Sequence, residues 1–167
     1  MGEKLKKLLL WSATILWMVL IFRLSAQNAS ASGDLSGGML QSILALFTPD
    51  WNSLSPLAQA QKLDAFHTIF RKLAHFSIYA ILGVLWTSTL RFGHWQCKDC
   101  PKWRILLPFL LCLLYAVSDE IHQMFSDGRS CELRDICIDF SGAATGIVCI
   151  TLLHHIILRI QRRHITI

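Results

Sequence analysis

Two histidines and four carboxylates, His75, His122, Asp119, Glu120, Asp135 and Asp139, stand in or beside apolar stretches of a 167-residue chain. An imidazole next to a carboxylate can move a proton near neutral pH, as phosphoryl and glycosyl chemistry require. His75, Asp119, Glu120, His122 and Asp139 are therefore the candidates for proton transfer. Arg71, Lys72 and Arg129 are neighbours of these groups along the sequence. A guanidinium grips phosphate through a planar fork and an ammonium acts as a point charge, so all three are candidate ligand contacts. Tyr79, Gln123 and Asp135 add polar groups to the same set. Two imidazoles and several carboxylates could also hold zinc or manganese, with the nearby cations competing for the acids. A third reading is purely architectural, in which near-balanced acids and bases hold helix ends in register. No GxSxG, HExxH or phosphate-loop pattern accompanies these residues.

The elements that must carry them are membrane helices. Hydrophobic residues make up 53% of the chain and charged residues only 16%, with a mean hydropathy of +0.45, whereas soluble domains carry about a quarter charged residues. That excludes a cytosolic globule, a disordered chain and a coiled coil. The apolar residues gather in four blocks, 8–24, 73–90, 105–125 and 136–158. About 20 helical residues cross a hydrocarbon core of roughly 30 Å, and backbone groups in lipid must be satisfied within the segment. The expected fold is an all-α, multi-pass membrane bundle of four transmembrane helices forming one domain over 1–167. The third block has an unbroken apolar run only over 105–117, so its polar stretch from Ser118 to Gln123 belongs at membrane depth.

Between the first two spans, small and polar residues over 25–38 read as a loop, and the apolar run 39–47 is too short to span. That run lies in the interface, dips back into the outer leaflet or forms a surface loop, which gives a partly helical outer connection. Ser55-Pro56 reads as an N-cap followed by proline at the first helical position, opening a helix that can run into the second span.

The basic residues set the orientation. With the N-terminus inside, ten of the 16 lysines and arginines fall on cytoplasmic segments: Lys4, Lys6, Lys7, Arg91, Lys98, Lys102, Arg104, Arg159, Arg162 and Arg163. The net charge of +5 is then mostly this asymmetry, and nucleic acid is not an expected partner, since that would require a basic face on a soluble domain. The N-terminus also has the form of a signal peptide, with lysines before an apolar core and small residues after it. Cleavage there would leave the other spans in the same orientation. Cys97 and Cys100 make half of a zinc site without a clear second half, Cys112 and Cys149 lie inside spans, and Cys131 and Cys137 flank the outer end of the fourth span.

At about 1.5 Å rise per residue, His75 and Asp139 lie roughly 5 Å below the outer boundary, Asp119 roughly 9 Å and His122 between 4 and 5 Å. At about 100° per residue, Arg71, His75 and Tyr79 share one face of the second span, and Asp119, His122 and Gln123 share one face of the third. Asp135, Asp139, Gly142 and Gly146 form a stripe on the fourth, whose glycines permit close helix approach. Glu120 points about 100° away from Asp119. The short connection with Asp127-Gly128-Arg129 stands over this layer.

Taken together, the residues resemble the VanZ-like family of small bacterial membrane proteins. The matching pieces are Ile21-Phe22 with Ser25, Arg71-Lys72 with His75 and Tyr79, Ser118-Asp119-Glu120 with His122-Gln123 and Phe125, and Arg129 followed by Asp135, Asp139, Gly142 and Gly146. Arg23 and Asp127 stand where more neutral residues are the pattern. The resemblance implies a bacterial cell-membrane protein linked to glycopeptide, specifically teicoplanin, resistance; it supplies no mechanism, cofactor or oligomeric state. Some members carry a phosphotransbutyrylase label, but acyl-CoA chemistry belongs on the cytosolic face, opposite the polar layer. The expected partners are the lipid bilayer and an anionic lipid or envelope precursor. The alternatives are a hydrolase or transferase on a lipid phosphate, with or without metal, and a non-catalytic scaffold whose ion pairs are structural.

Overall fold

A computed structural model describes residues 2–26, 29–92, 103–125 and 132–165. Within them the chain forms α1 (Glu3–Ser25), α2 (Ala29–Phe47), α3 (Pro56–Phe92), α4 (Trp103–Gln123) and α5 (Leu133–Ile165), with one 3-10 turn at Trp51–Ser53. Helices α1, α3, α4 and α5 are each long and apolar enough to cross a membrane. Their outward faces carry Leu8, Leu16, Ile81, Leu114, Leu152 and Ile156 exposed, as surfaces solvated by lipid rather than water require.

Helices α3 and α5 form the central pair and run parallel. Gly142 of α5 faces the backbone of Phe76, and Gly146 faces that of Ala80 one turn further along. A Cβ at either glycine would collide with the facing carbonyl oxygen, and one at Gly83 would collide with that of Ala143. Backbone-to-backbone approach of this kind is what small residues permit in lipid, where dispersion contacts replace the hydrophobic drive between helices.

Around this seam a core of Ile21, Tyr79, Leu82, Cys112, Ala116, Ala143 and Ile147 is buried. Helix α1 is antiparallel to α3 and is tied in by side-chain bonds along its length. The Thr14 and Thr89 hydroxyls lie 2.8 Å apart, Trp17 Nε1 donates to the Ile78 carbonyl at 2.9 Å, and the Tyr115 hydroxyl of α4 donates to the Met18 carbonyl at 2.6 Å.

Two expectations need correction. The stretch 25–38, read as a loop, is helical from Ala29, so α2 is a 19-residue helix. Its alanines and serines carry no apolar period to announce a helix, and Gly33, Gly37 and Gly38 weigh against one, but α2 packs back on the start of α3. Ser36 Oγ and His67 Nε2 are 2.8 Å apart, Leu40 is buried, and Gln59 Nε2 donates to the Trp51 carbonyl at 2.8 Å. The third span, expected to end at about Phe125, ends as a helix at Gln123, two residues earlier. After the Met124 N–H to Glu120 bond, the Phe125 N–H turns to His122 instead, at 3.1 Å, and the last turn tightens.

The second span starts where Ser55-Pro56 indicates. Ser55 Oγ accepts the Ala58 N–H at 3.3 Å, and α3 then runs unbroken for 37 residues. Arg129, Cys97, Cys100 and Cys131 lie outside the described residues.

Candidate functional site

The end of the bundle where α1 and α4 finish and α5 begins carries the polar residues. Asp119 is 3% exposed, and its Oδ2 is the meeting point of three helices. It accepts from Ser25 Oγ of α1 at 2.7 Å, from the Tyr79 hydroxyl of α3 at 3.1 Å, and from Gln123 Nε2, one turn along α4, at 3.3 Å. Three donors from three helices converge on one acceptor, so the knot both fixes Asp119 and fastens α1 to the bundle. Its second oxygen, Oδ1, is buried with no hydrogen-bond partner.

A second group spans the α3–α5 seam. His75 Nδ1 lies 3.5 Å from Asp139 Oδ1; the histidine side chain is 26% exposed and the aspartate side chain 1%. One turn nearer the helix starts, Lys72 Nζ lies 3.9 Å from Asp135 Oδ1, with both side chains partly exposed. The stripe of Asp135, Asp139, Gly142 and Gly146 thus faces α3 throughout, because the glycines pull the two helices together and their acids share that face.

Glu120 faces elsewhere, towards the start of α5. It is 1% exposed, and its Oε2 accepts the Glu132 backbone N–H at 3.2 Å, one of the donors that a helix start leaves open. Asp119, Asp135 and Asp139 all lie within electrostatic reach of it.

The expected single layer is therefore three adjoining groups. His75, Asp119, Glu120, Asp135, Asp139, Tyr79, Gln123 and Lys72 are brought together, while His122 stands at the edge. Its ring lies against Phe22 of α1, with centroids 4.3 Å apart and planes at 34°. Sharing a helix face with Asp119 did not place it in the knot, because the three-residue offset turns it towards α1. Arg71 is half-buried on the His75 face and makes no hydrogen bond or ion pair among the described residues.

Ser25 is the site residue that chemistry-first reading missed, since a lone serine at a helix end carries no catalytic signal. Its only pointer was its place beside Ile21-Phe22 in the family pattern. Among the described residues, no three His, Cys, Asp or Glu side chains form a group that could hold a metal ion.

Fold and site together define a multi-pass helical membrane protein with a buried carboxylate, tyrosine and histidine cluster at one end of its bundle. A family model described as VanZ/LLP1 matches residues 10–154, which takes in most of all four spanning helices and every residue of the cluster. The chain belongs to the VanZ/LLP1 family. No curated protein and no solved structure matches it.

Proposed function

We propose that the polar end faces outward from a bacterial cell membrane, with both termini cytoplasmic. There the cluster binds or acts on an anionic envelope lipid or a glycopeptide-related ligand, and so contributes to teicoplanin resistance. The observation that carries this reading is the cationic rim. Arg71 stands without a protein partner among the described residues, beside Lys72, whose contact with Asp135 is long at 3.9 Å. Cations this loosely engaged at a membrane mouth are available to a phosphate. The excess of lysine and arginine on the opposite segments supports the orientation.

A chemical role on the same ligand, as a hydrolase or transferase of a lipid phosphate, draws on one further contact. The partly exposed His75 backed by the buried Asp139 is an arrangement that can hold and pass a proton.

Expression in a teicoplanin-sensitive Gram-positive host tests the reading. Arg71→Gln, Arg129→Lys and His122→Gln are expected to accumulate as folded protein near the wild-type amount while losing the tolerance that the wild type confers. If the variants keep full tolerance, or lose folded protein in step with it, the reading is wrong and the cluster is scaffold.

A further inference from the structure

Among the described residues the acids at the polar end outnumber their partners, and four of their buried oxygens, Asp119 Oδ1, Asp135 Oδ1 and both of Asp139, make no hydrogen bond. Asp119 and Asp139 are 3% and 1% exposed. Asp119 Oδ2 takes all three of that residue's donors, leaving Oδ1 buried without a hydrogen bond, and Asp139 Oδ2 is likewise buried without one. Buried acceptors of this kind are rare because each forfeits its solvation. Glu120 adds a third buried acid within electrostatic reach, and Asp135 a fourth at the rim. Facing these four carboxylates, the described basic side chains in contact are the Lys72 ammonium and the His75 imidazole. Among the described residues, no donor reaches the free oxygens of Asp119 and Asp139 within hydrogen-bond geometry.

We infer that the cluster takes a phosphate-bearing lipid headgroup that also carries a primary ammonium, the ammonium seated at Asp119 and Asp139 and the phosphate held at Arg71 and Lys72. The inference rests on the phosphate reading above and names the second half of its ligand. An ammonium supplies three donors and a positive charge. A metal ion would need a convergent set of ligands that the described residues do not provide.

Spacing agrees with this choice. Along α3 and α5 the cation level, Lys72 with Asp135, is about one helical turn, roughly 5 Å, from the acid level, His75 with Asp139. A two-carbon link between phosphate and amine covers about that separation. The way in passes Lys72 and His75, whose side chains are 23% and 26% exposed.

The test uses the purified full chain in detergent and native mass spectrometry with four dihexanoyl phospholipids. These are phosphatidylethanolamine, with a primary ammonium; phosphatidylcholine, whose ammonium has no hydrogens; phosphatidylglycerol, with hydroxyls only; and phosphatidic acid, with phosphate alone. Phosphatidylethanolamine is expected to bind at least threefold tighter than each of the others. That preference should collapse in Asp139→Asn, or in Asp119→Asn should the first variant fail to fold. Arg71→Gln should weaken all four lipids together. Equal binding of phosphatidylethanolamine and phosphatidylcholine overturns the ammonium site while leaving the phosphate reading intact. Equal binding of phosphatidylethanolamine and phosphatidylglycerol overturns it in favour of a hydroxyl ligand. Failure of all four lipids to bind, or their indifference to Arg71→Gln, overturns the phosphate reading and this inference with it. If neither aspartate variant folds, the wild-type ranking of the four lipids alone decides.

Discussion

Gly142→Ala adds one methyl group where the α3–α5 seam brings backbone against backbone, and its effect can be worked from the atoms it would meet. The added Cβ would lie 2.9 Å from the Phe76 carbonyl carbon and 3.0 Å from its Cα, with the carbonyl oxygen nearer still, whereas ordinary contact begins at 3.4 Å. None of these atoms belongs to a flexible side chain, so the helices themselves must separate. Overpacking of this kind costs about 1–3 kcal/mol. The better helix propensity of alanine returns about 0.5–1 kcal/mol. The expected net loss is about 1–2 kcal/mol, roughly a tenfold shift in the folding equilibrium.

The same separation would lengthen the His75–Asp139 contact from 3.5 Å and the Lys72–Asp135 contact from 3.9 Å, taking the cluster apart without touching it. Unfolding by SDS in mixed micelles, followed by tryptophan fluorescence, gives the measurement. Gly38→Ala is the internal comparison, because nothing lies within 4 Å of a Cβ there; it should leave stability unchanged or raise it. A Gly142→Ala protein as stable as the Gly38→Ala protein would refute the close-packed seam.

Two further outcomes follow from the same geometry. Asp119→Leu strands the donors of Ser25 and Tyr79 in a buried place, at about 1–3 kcal/mol for each group left unpaired, so folded protein should be lost. Asp119→Asn keeps an acceptor and should retain most of it, and equal yields from the two in a detergent-stability assay would remove the knot as the fastening of α1. Topology is accessible by labelling single cysteines in a chain whose six native cysteines are replaced. Ser53→Cys should react with an impermeant maleimide on intact cells and Glu3→Cys only after permeabilisation, the opposite pattern placing the cluster on the inner face.

The parts of this architecture that could be read in the sequence are those where one local rule acts alone. Apolar block length sets the four spans, Ser55-Pro56 sets the start of α3, and the four-residue spacing of Asp135 and Asp139, carried on to Gly142 and Gly146, sets the face of α5. Legibility fails where a neighbour decides. The serine, alanine and glycine residues at the start of α2 have no period of their own, and that helix forms with α3 as its support. His122 and Asp119 share a face, but that Asp119 meets Ser25 of α1 and Tyr79 of α3 while His122 meets Phe22 of α1 depends on how α4 is rotated in the bundle. Ser25 has chemical meaning only once Asp119 lies 2.7 Å away across 94 positions of chain.

Helix α3 gives the molecule a mechanical property as well. Its 37 residues extend to about 55 Å, against roughly 30 Å of hydrocarbon, and no proline or break in the helix interrupts it after Pro56. The segment that packs on α2 and the segment that carries Arg71, Lys72 and His75 are therefore one stiff rod. A sideways load on the α2–α3 hairpin meets no break in the helix between them at which it could be absorbed. It arrives as a tilt at the α3–α5 seam, where backbones touch and where the Lys72–Asp135 and His75–Asp139 contacts cross, so the hairpin acts as a lever whose short arm is the polar cluster.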